Sequence, residues 1–147
     1  MEFILHPIGV IHTPFSDPGE TPNQPTRSQA IGRIDIDPGY ADGLIDLDGF
    51  SHIHLLYAFH KSNGFSLRVK PFLDDREHGV FATRYPFRPN PIGMSIVRLL
   101  RREVNILTVE GVDMLDGTPL LDIKPYVPEF DVRIDTRTGW YETRSID

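Results

Sequence analysis

Apolar and polar positions alternate with a period of two in several short stretches, the signature of half-buried strands. Residues 31–36 and 105–115 show it most clearly. Residues 52–60 form a stronger apolar run, and residues 3–12 open the chain as a strand interrupted at Pro7 and Gly9. A weaker strand is predicted over 67–73, demoted by Pro71 because proline cannot donate to a ladder. Short strands are also predicted over 80–84, 120–127 and around 131–135. Residues 92–100 fit either a helix or a strand. The alternation that follows them favours strand. Asp116-Gly117 reads as a hairpin-type turn.

The connections carry as much information. Residues 13–30 form a long loop holding Pro14, Pro18, Pro22 and Pro25. A loop of that length in a compact domain is usually functional. Residues 37–43 read as a turn that opens a short helical turn, and residues 74–79 as a polar loop. Residues 85–91 can be neither helix nor central strand, since Pro86, Pro89 and Pro91 remove donors and restrict their neighbours. About seven short strands joined by turns make an all-β protein, a small barrel or sandwich with long Pro-rich loops and at most short helices. Thirteen prolines and 12 glycines along 147 residues sharpen this reading against long helices.

A chain of 147 residues suits one domain and needs no disulfide to support a core. No apolar run reaches the roughly 20 residues of a membrane span, and the N-terminus lacks the basic and small-residue features of a signal peptide. Cysteine is absent, which excludes disulfides, thiolate metal sites and cysteine nucleophiles, and fits a reducing cytoplasm. The net charge of -6 argues against broad nucleic-acid binding. Its distribution changes that picture. Residues 1–60 and 103–147 each carry -6, while residues 61–102 carry +6. Five arginines and no carboxylate lie between His78 and Arg102. Such a patch can hold a phosphate, a carboxylate or an RNA backbone, or be paired with the flanking acids.

Three segments carry candidate chemistry. His52, His54 and His60 share one face of a strand by even spacing, as a metal site or as packed histidines. Residues 82–95 present Arg84, Arg88 and Asn90 from a loop stiffened by three prolines. Arginine forks bind carboxylates and phosphates in pairs of hydrogen bonds, and the alternative role is capping of loop carbonyls. Residues 111–126 carry Asp113, Asp116, Asp122 and Lys124. The Asp116 carboxylate can accept from a ribose diol or an amine, or simply serve a hairpin. Lys124 and Asp122 can pair across the pleat. No Gly-rich dinucleotide loop, Walker loop or Gly-x-Ser-x-Gly is present.

Four ordered motifs then point to one family. They are Gly79-Val-Phe-Ala-Thr-Arg-Tyr-Pro-Phe-Arg-Pro-Asn-Pro-Ile-Gly-Met-Ser95, Leu115-Asp-Gly-Thr-Pro-Leu-Leu-Asp-Ile-Lys-Pro-Tyr126, Pro7-Ile-Gly-Val-Ile-His-Thr-Pro-Phe15 and Gly49-Phe-Ser-His-Ile-His-Leu-Leu-Tyr-Ala-Phe-His60. Together they resemble the TsaA-like, or TrmO-type, tRNA methyltransferases over about residues 3–131. The resemblance implies a β-barrel domain over residues 1–135 with a short C-terminal tail over 136–147. It implies S-adenosyl-L-methionine (SAM) as cofactor, bound near the interface of a homodimer. It implies a cytoplasmic enzyme methylating N6 of threonylcarbamoyl-adenosine at position 37 of tRNA, with no metal. By the same resemblance, Pro22, Asn23, Gln24, His60, Lys61, Arg84, Met94, Leu115, Asp116, Gly117 and Thr118 bind the cofactor. Arg88, Asn90 and Lys124 are expected at the acceptor. Asp116, His60 and Asp113 are all candidates for a general base. A SAM-binding module, a methyltransferase with a non-tRNA acceptor and a metal-dependent barrel built on the histidines are the competing readings.

Overall fold

The computed structural model describes residues 1–21, 28–71 and 74–143. The chain divides into two compact units, one of residues 1–60 and 92–126, the other of residues 61–91 and 127–147.

The first unit is a closed barrel. Its strands are β1 (Gly9–His12), β2 (Ile31–Ile36), β3 (His52–Ala58), β6 (Ile92–Glu103), β7 (Ile106–Glu110) and β8 (Thr118–Pro125). They close in the order β1-β2-β7-β6-β3-β8, and every neighbouring pair is antiparallel. Closure leaves no strand edge open to pair with another chain. The alternation of the sequence becomes inside and outside. Ile34 and Ile36 of β2, Ile53 and Leu55 of β3, Val97 of β6, Leu107 and Val109 of β7 and Leu120 of β8 fill the interior. Fully burying a side chain of this size contributes roughly 1.5–3 kcal/mol, so the barrel interior is the stable part of the fold.

Two local devices shape it. The register between β3 and β8 shifts after Leu56, which pairs with Asp122 while Tyr57 pairs with Leu120. The bulge re-phases β8. Thr118 and Leu120 point inward before it, and Asp122 and Lys124 lie opposite the outward Leu56 and His54 after it. The second device is Gly93, where a Cβ would come within 2.7 Å of Phe59 Cζ and closer still to the Tyr57 ring.

Between these barrel strands, the 3-10 turns Pro38–Leu44 and Leu47–Gly49 fill the segment expected as a turn. Leu44 and Leu47 drop into the core from them. The second unit holds a two-stranded ribbon, β4 (Arg68–Val69) with β5 (His78–Gly79), and the one-turn helix α1 (Pro128–Asp131). The Trp140 indole stacks on His78 at 4.5 Å and donates to the Ala82 carbonyl at 2.8 Å. His78 in turn meets the fully buried Asp74 carboxylate at 2.6 Å.

The barrel bears out the all-β reading, while several strand boundaries need correction. The first strand spans Gly9–His12 and not 3–12. Pro7 offers no N–H to the ladder, and residues 1–7 are exposed. The segment 80–84 is a 3-10 turn, Val80–Ala82, because the Val80 carbonyl accepts from both the amide and the hydroxyl of Thr83. No strand forms near 131–135: Asp131 ends α1, opened by Pro128 and closed on itself by Asp131 accepting from the Val127 amide at 2.8 Å, and residues 132–135 follow without regular structure. The strand over 105–115 stops at Glu110 because Gly111 turns at φ 103°. Asp116-Gly117 does not join a hairpin. β7 pairs with β2 and β6, β8 with β1 and β3.

The true tight hairpin joins β6 to β7 through Val104 and Asn105, with Glu103 opposite Ile106. Asn105 pins it by donating to and accepting from Ile36, at 2.7 and 2.8 Å. Val104 is held at φ 56°, a conformation costly for a β-branched residue. Val104→Asn is expected to stabilise the protein by about 1 kcal/mol and to raise Tm by about 3 °C in a thermal melt. An unchanged or lower Tm would contradict the strain.

Candidate functional site

The turn at residues 115–118 is built from the end of β1. Gly117 donates to the Ile11 carbonyl at 2.9 Å and Asp116 to the Phe15 carbonyl at 2.7 Å. The Asp116 carboxylate accepts from the Thr13 amide at 3.0 Å. His12 lies between two carboxylates, 3.4 Å from Asp116 and 3.2 Å from Asp35. Gly117 stands at φ 83°, which favours glycine, and nothing lies within 4 Å of where a Cβ would project. Thr118 is buried, and its hydroxyl donates to the Leu115 carbonyl at 2.6 Å. The turn therefore offers solvent a half-exposed carboxylate on a braced backbone. His12, Thr13 and Phe15 are the bracing residues that motif reading left without a role.

Met94 and Lys124 lie on another surface, the outside of the barrel. Met94 of β6 is opposite Leu56 of β3, which is opposite Asp122 of β8. Lys124 is opposite His54 and pairs with Asp122 at 3.1 Å. This is the ion pair across the pleat expected from the sequence. The outer face of β6 also exposes Ile92, Ile96 and Leu100, with Arg98 among them. His52 and His54 share this outer side, and both contact the Tyr126 ring. His60 falls beyond β3, in a turn where its amide donates to the Ala58 carbonyl, so strand spacing does not align it with the other two. Among the described residues no group of three or more His, Asp or Glu side chains is placed to hold a metal ion.

A polar chain links the neighbouring strands β3 and β6 to the segment after β7. The Tyr57 hydroxyl meets Ser95 Oγ at 2.8 Å, and Ser95 Oγ donates to Asp113 Oδ1 at 2.6 Å. Tyr57 and Ser95 are buried. Ser95 occupies an inward position of β6 between Gly93 and Val97. A polar residue in an apolar inward series signals such a network, and that signal was present in the sequence.

In the second unit, the Pro-rich loop presents Arg84 and Asn90 at the surface without a hydrogen bond or ion pair among the described residues. Arg88 is different. Its guanidinium donates to the Thr83 and Tyr85 carbonyls at 2.9 and 3.0 Å, so it staples the loop. Lys61 is exposed at the start of this unit. Pro22, Asn23 and Gln24 lie outside the described residues.

A family model for the tRNA-methyltransferase O N-terminal domain matches residues 10–132. This chain belongs to the TrmO family. It is 54% identical over 137 residues to a probable S-adenosyl-L-methionine-binding protein of Pyrococcus abyssi, covering 92% of this chain and 74% of that one. It is 39% identical over 136 residues to a human tRNA (adenine(37)-N6)-methyltransferase, covering 87% of this chain and 31% of that one. The crystal structure of TrmO from Pseudomonas aeruginosa superposes with a TM-score of 0.83 at 39% identity, over 99% of this chain and 65% of that chain. The chain thus spans less than two thirds of the solved TrmO chain and under a third of the human relative.

The Tyr57–Ser95–Asp113 chain makes a direct prediction. Ser95→Ala removes the hydroxyl that joins the other two groups and is expected to cost roughly 1–3 kcal/mol, read as a lower denaturation midpoint. A midpoint equal to that of the unaltered protein would show that Ser95 does not join them.

Proposed function

We propose that this protein is a SAM-dependent methyltransferase that acts on N6 of the adenosine at position 37 of tRNA, in the threonylcarbamoyl-modified form. The observation that carries the reading is the match along 99% of the chain to a solved TrmO barrel, with the 115–118 turn braced on β1. The donor set suits the cofactor. Arg84 and Lys61 are exposed cations with no ion pair among the described residues, as a methionyl carboxylate requires. Asp116 is an exposed carboxylate on a rigid turn, as a ribose diol or ammonium requires. By the family resemblance we assign cofactor binding to Leu115, Asp116, Gly117 and Thr118, and likewise to Pro22, Asn23, Gln24, His60, Lys61, Arg84 and Met94. Arg88, Asn90 and Lys124 are assigned to the acceptor.

Bound SAM supplies a methyl group already activated by its sulfonium. The protein's task is then to align the acceptor nitrogen with that methyl, a proximity effect. A carbamoyl-adenine nitrogen is a poor nucleophile and must lose its proton. A general base adds typically about 10²–10⁴-fold. Asp116 is exposed and oriented by Thr13 and His12, and acts as the base only with an oxygen that the cofactor leaves open. Asp113 is engaged by Ser95. Active protein is further proposed to be a cytoplasmic homodimer, with the exposed Ile92, Met94 and Ile96 of β6 in the surface that a second copy covers. No helix among the described residues is long and apolar enough to cross a membrane.

The second reading, a SAM-binding module without transfer to tRNA, is favoured by the name of the Pyrococcus relative. Labelled SAM incubated with the protein and total tRNA from a strain lacking this gene separates the two. Label mapping to adenosine 37 is expected. SAM binding with no label in RNA would overturn the methyltransferase reading in favour of the module. Arg84→Ala is expected to weaken SAM binding by about tenfold or more, the loss of one charged hydrogen-bond donor, in calorimetry. Unchanged affinity would remove Arg84 from the site.

A further inference from the structure

The second unit contains a cleft that none of the cofactor or acceptor assignments uses. It has a volume of about 380 Å³ and is lined by Asn63, Phe65, Arg68, Lys70, Tyr85 and Phe87 among others. That volume falls within the roughly 300–1,000 Å³ of small-ligand sites. Its construction follows from local sequence. Gly64 turns the chain at φ 72°. The Ser66 amide donates to the Phe87 carbonyl at 3.3 Å and the Val80 amide to Leu67 at 2.9 Å, tying both walls together. Val69 is buried, so strand alternation puts Arg68 and Lys70 together on the open side. Tyr85 and Phe87 stand 5.5 Å apart, on the loop that Pro86 and the Arg88 staple make rigid. Phe65 leaves 58% of its surface exposed.

The chemistry of the lining is specific. Among the described residues it holds no carboxylate. Neither Arg68 nor Lys70 forms an ion pair among the described residues, and nearby Asp74 is turned to His78 and Arg76. Two cations without an ion pair among the described residues, beside the exposed Phe65 and the half-buried Tyr85 and Phe87, and with the Asn63 amide in the lining, match the demands of a nucleotide in a single strand. The phosphate takes the cations, the base stacks on a ring, and an amide can pair with a base edge. A purely apolar ligand would leave the cations without partners. A free anion would leave the aromatic faces without a use.

We propose that this cleft holds one unpaired nucleotide of the RNA substrate, with its phosphate on Arg68 and Lys70 and its base against Phe65, Tyr85 or Phe87. The proposal rests on the reading of RNA as the acceptor, and names where that RNA is gripped apart from the reacting adenosine.

The test measures binding of a tRNA anticodon stem–loop to the whole protein across a salt series, with SAM affinity measured in parallel. The Arg68→Ala/Lys70→Ala double variant is expected to flatten the log–log salt slope by about 0.7, the loss of one neutralised single-strand phosphate. Phe65→Ala is expected to weaken RNA binding roughly fivefold to a hundredfold, the loss of one base stack. Phe65 is exposed, so its removal should spare the fold, as an unchanged thermal melt and unchanged SAM affinity would verify. RNA binding by these variants equal to that of the unaltered protein would overturn the cleft assignment and leave the RNA reading standing. Absence of RNA binding by the unaltered protein would overturn both.

Discussion

Closure of the barrel by β8 is the constraint on which the rest of this structure depends. β8 pairs with β1 along its first residues and with β3 along its last. It therefore has to serve two neighbours and two faces. A regular strand would keep Asp122 and Lys124 on the same side as Thr118 and Leu120, which is the interior. Two charges buried there would be costly to desolvate even as a pair. The bulge at Leu56/Tyr57 removes that conflict and sends both charges outside, where they pair. One local irregularity thus lets an apolar core and a polar surface coexist on one short strand.

Closure also determines what the turn before β8 can do. Because β8 begins beside the end of β1, residues 115–118 are braced by Ile11, Thr13 and Phe15 rather than by a hairpin partner. A carboxylate held this way loses little freedom on binding, which favours affinity. The second unit achieves rigidity differently. It has a two-stranded ribbon and few buried apolar residues, so prolines, the Arg88 staple and the Trp140–His78 stack do the ordering. On the proposed reading, each unit offers preorganised polar groups. That is the requirement of a reaction whose main difficulty is alignment.

Much of this was legible in the residues. Residues 31–36 match β2, and residues 92–100 lie in strand β6, as the alternation after them favours; the inward series Gly93, Ser95, Val97 and Leu99 keeps period two. The prolines of 85–91 correctly barred regular structure there. The misses have physical causes. Val104 carries none of the usual turn chemistry, so the real β6–β7 hairpin was invisible, while Asp116-Gly117 carries it and joins strands that never pair. Bulges leave no signature in single-strand alternation, so the outward aim of Asp122 and Lys124 came only with the structure. The Arg88 staple was foreseen as an alternative, but local sequence could not choose between a ligand and the loop's own carbonyls. His12 gained its role only when the fold brought it to Asp116, at the far end of the barrel sequence, and Ser95 only when it met Asp113, 18 residues away.

The most direct test of the account is to follow backbone amide resonances of the protein while SAM is added. The account predicts saturable shifts at Asp116, Gly117 and Thr118, with Leu115 and the bracing Thr13 following them. Shifts confined to other parts of the chain, with these amides unmoved at saturation, would contradict it.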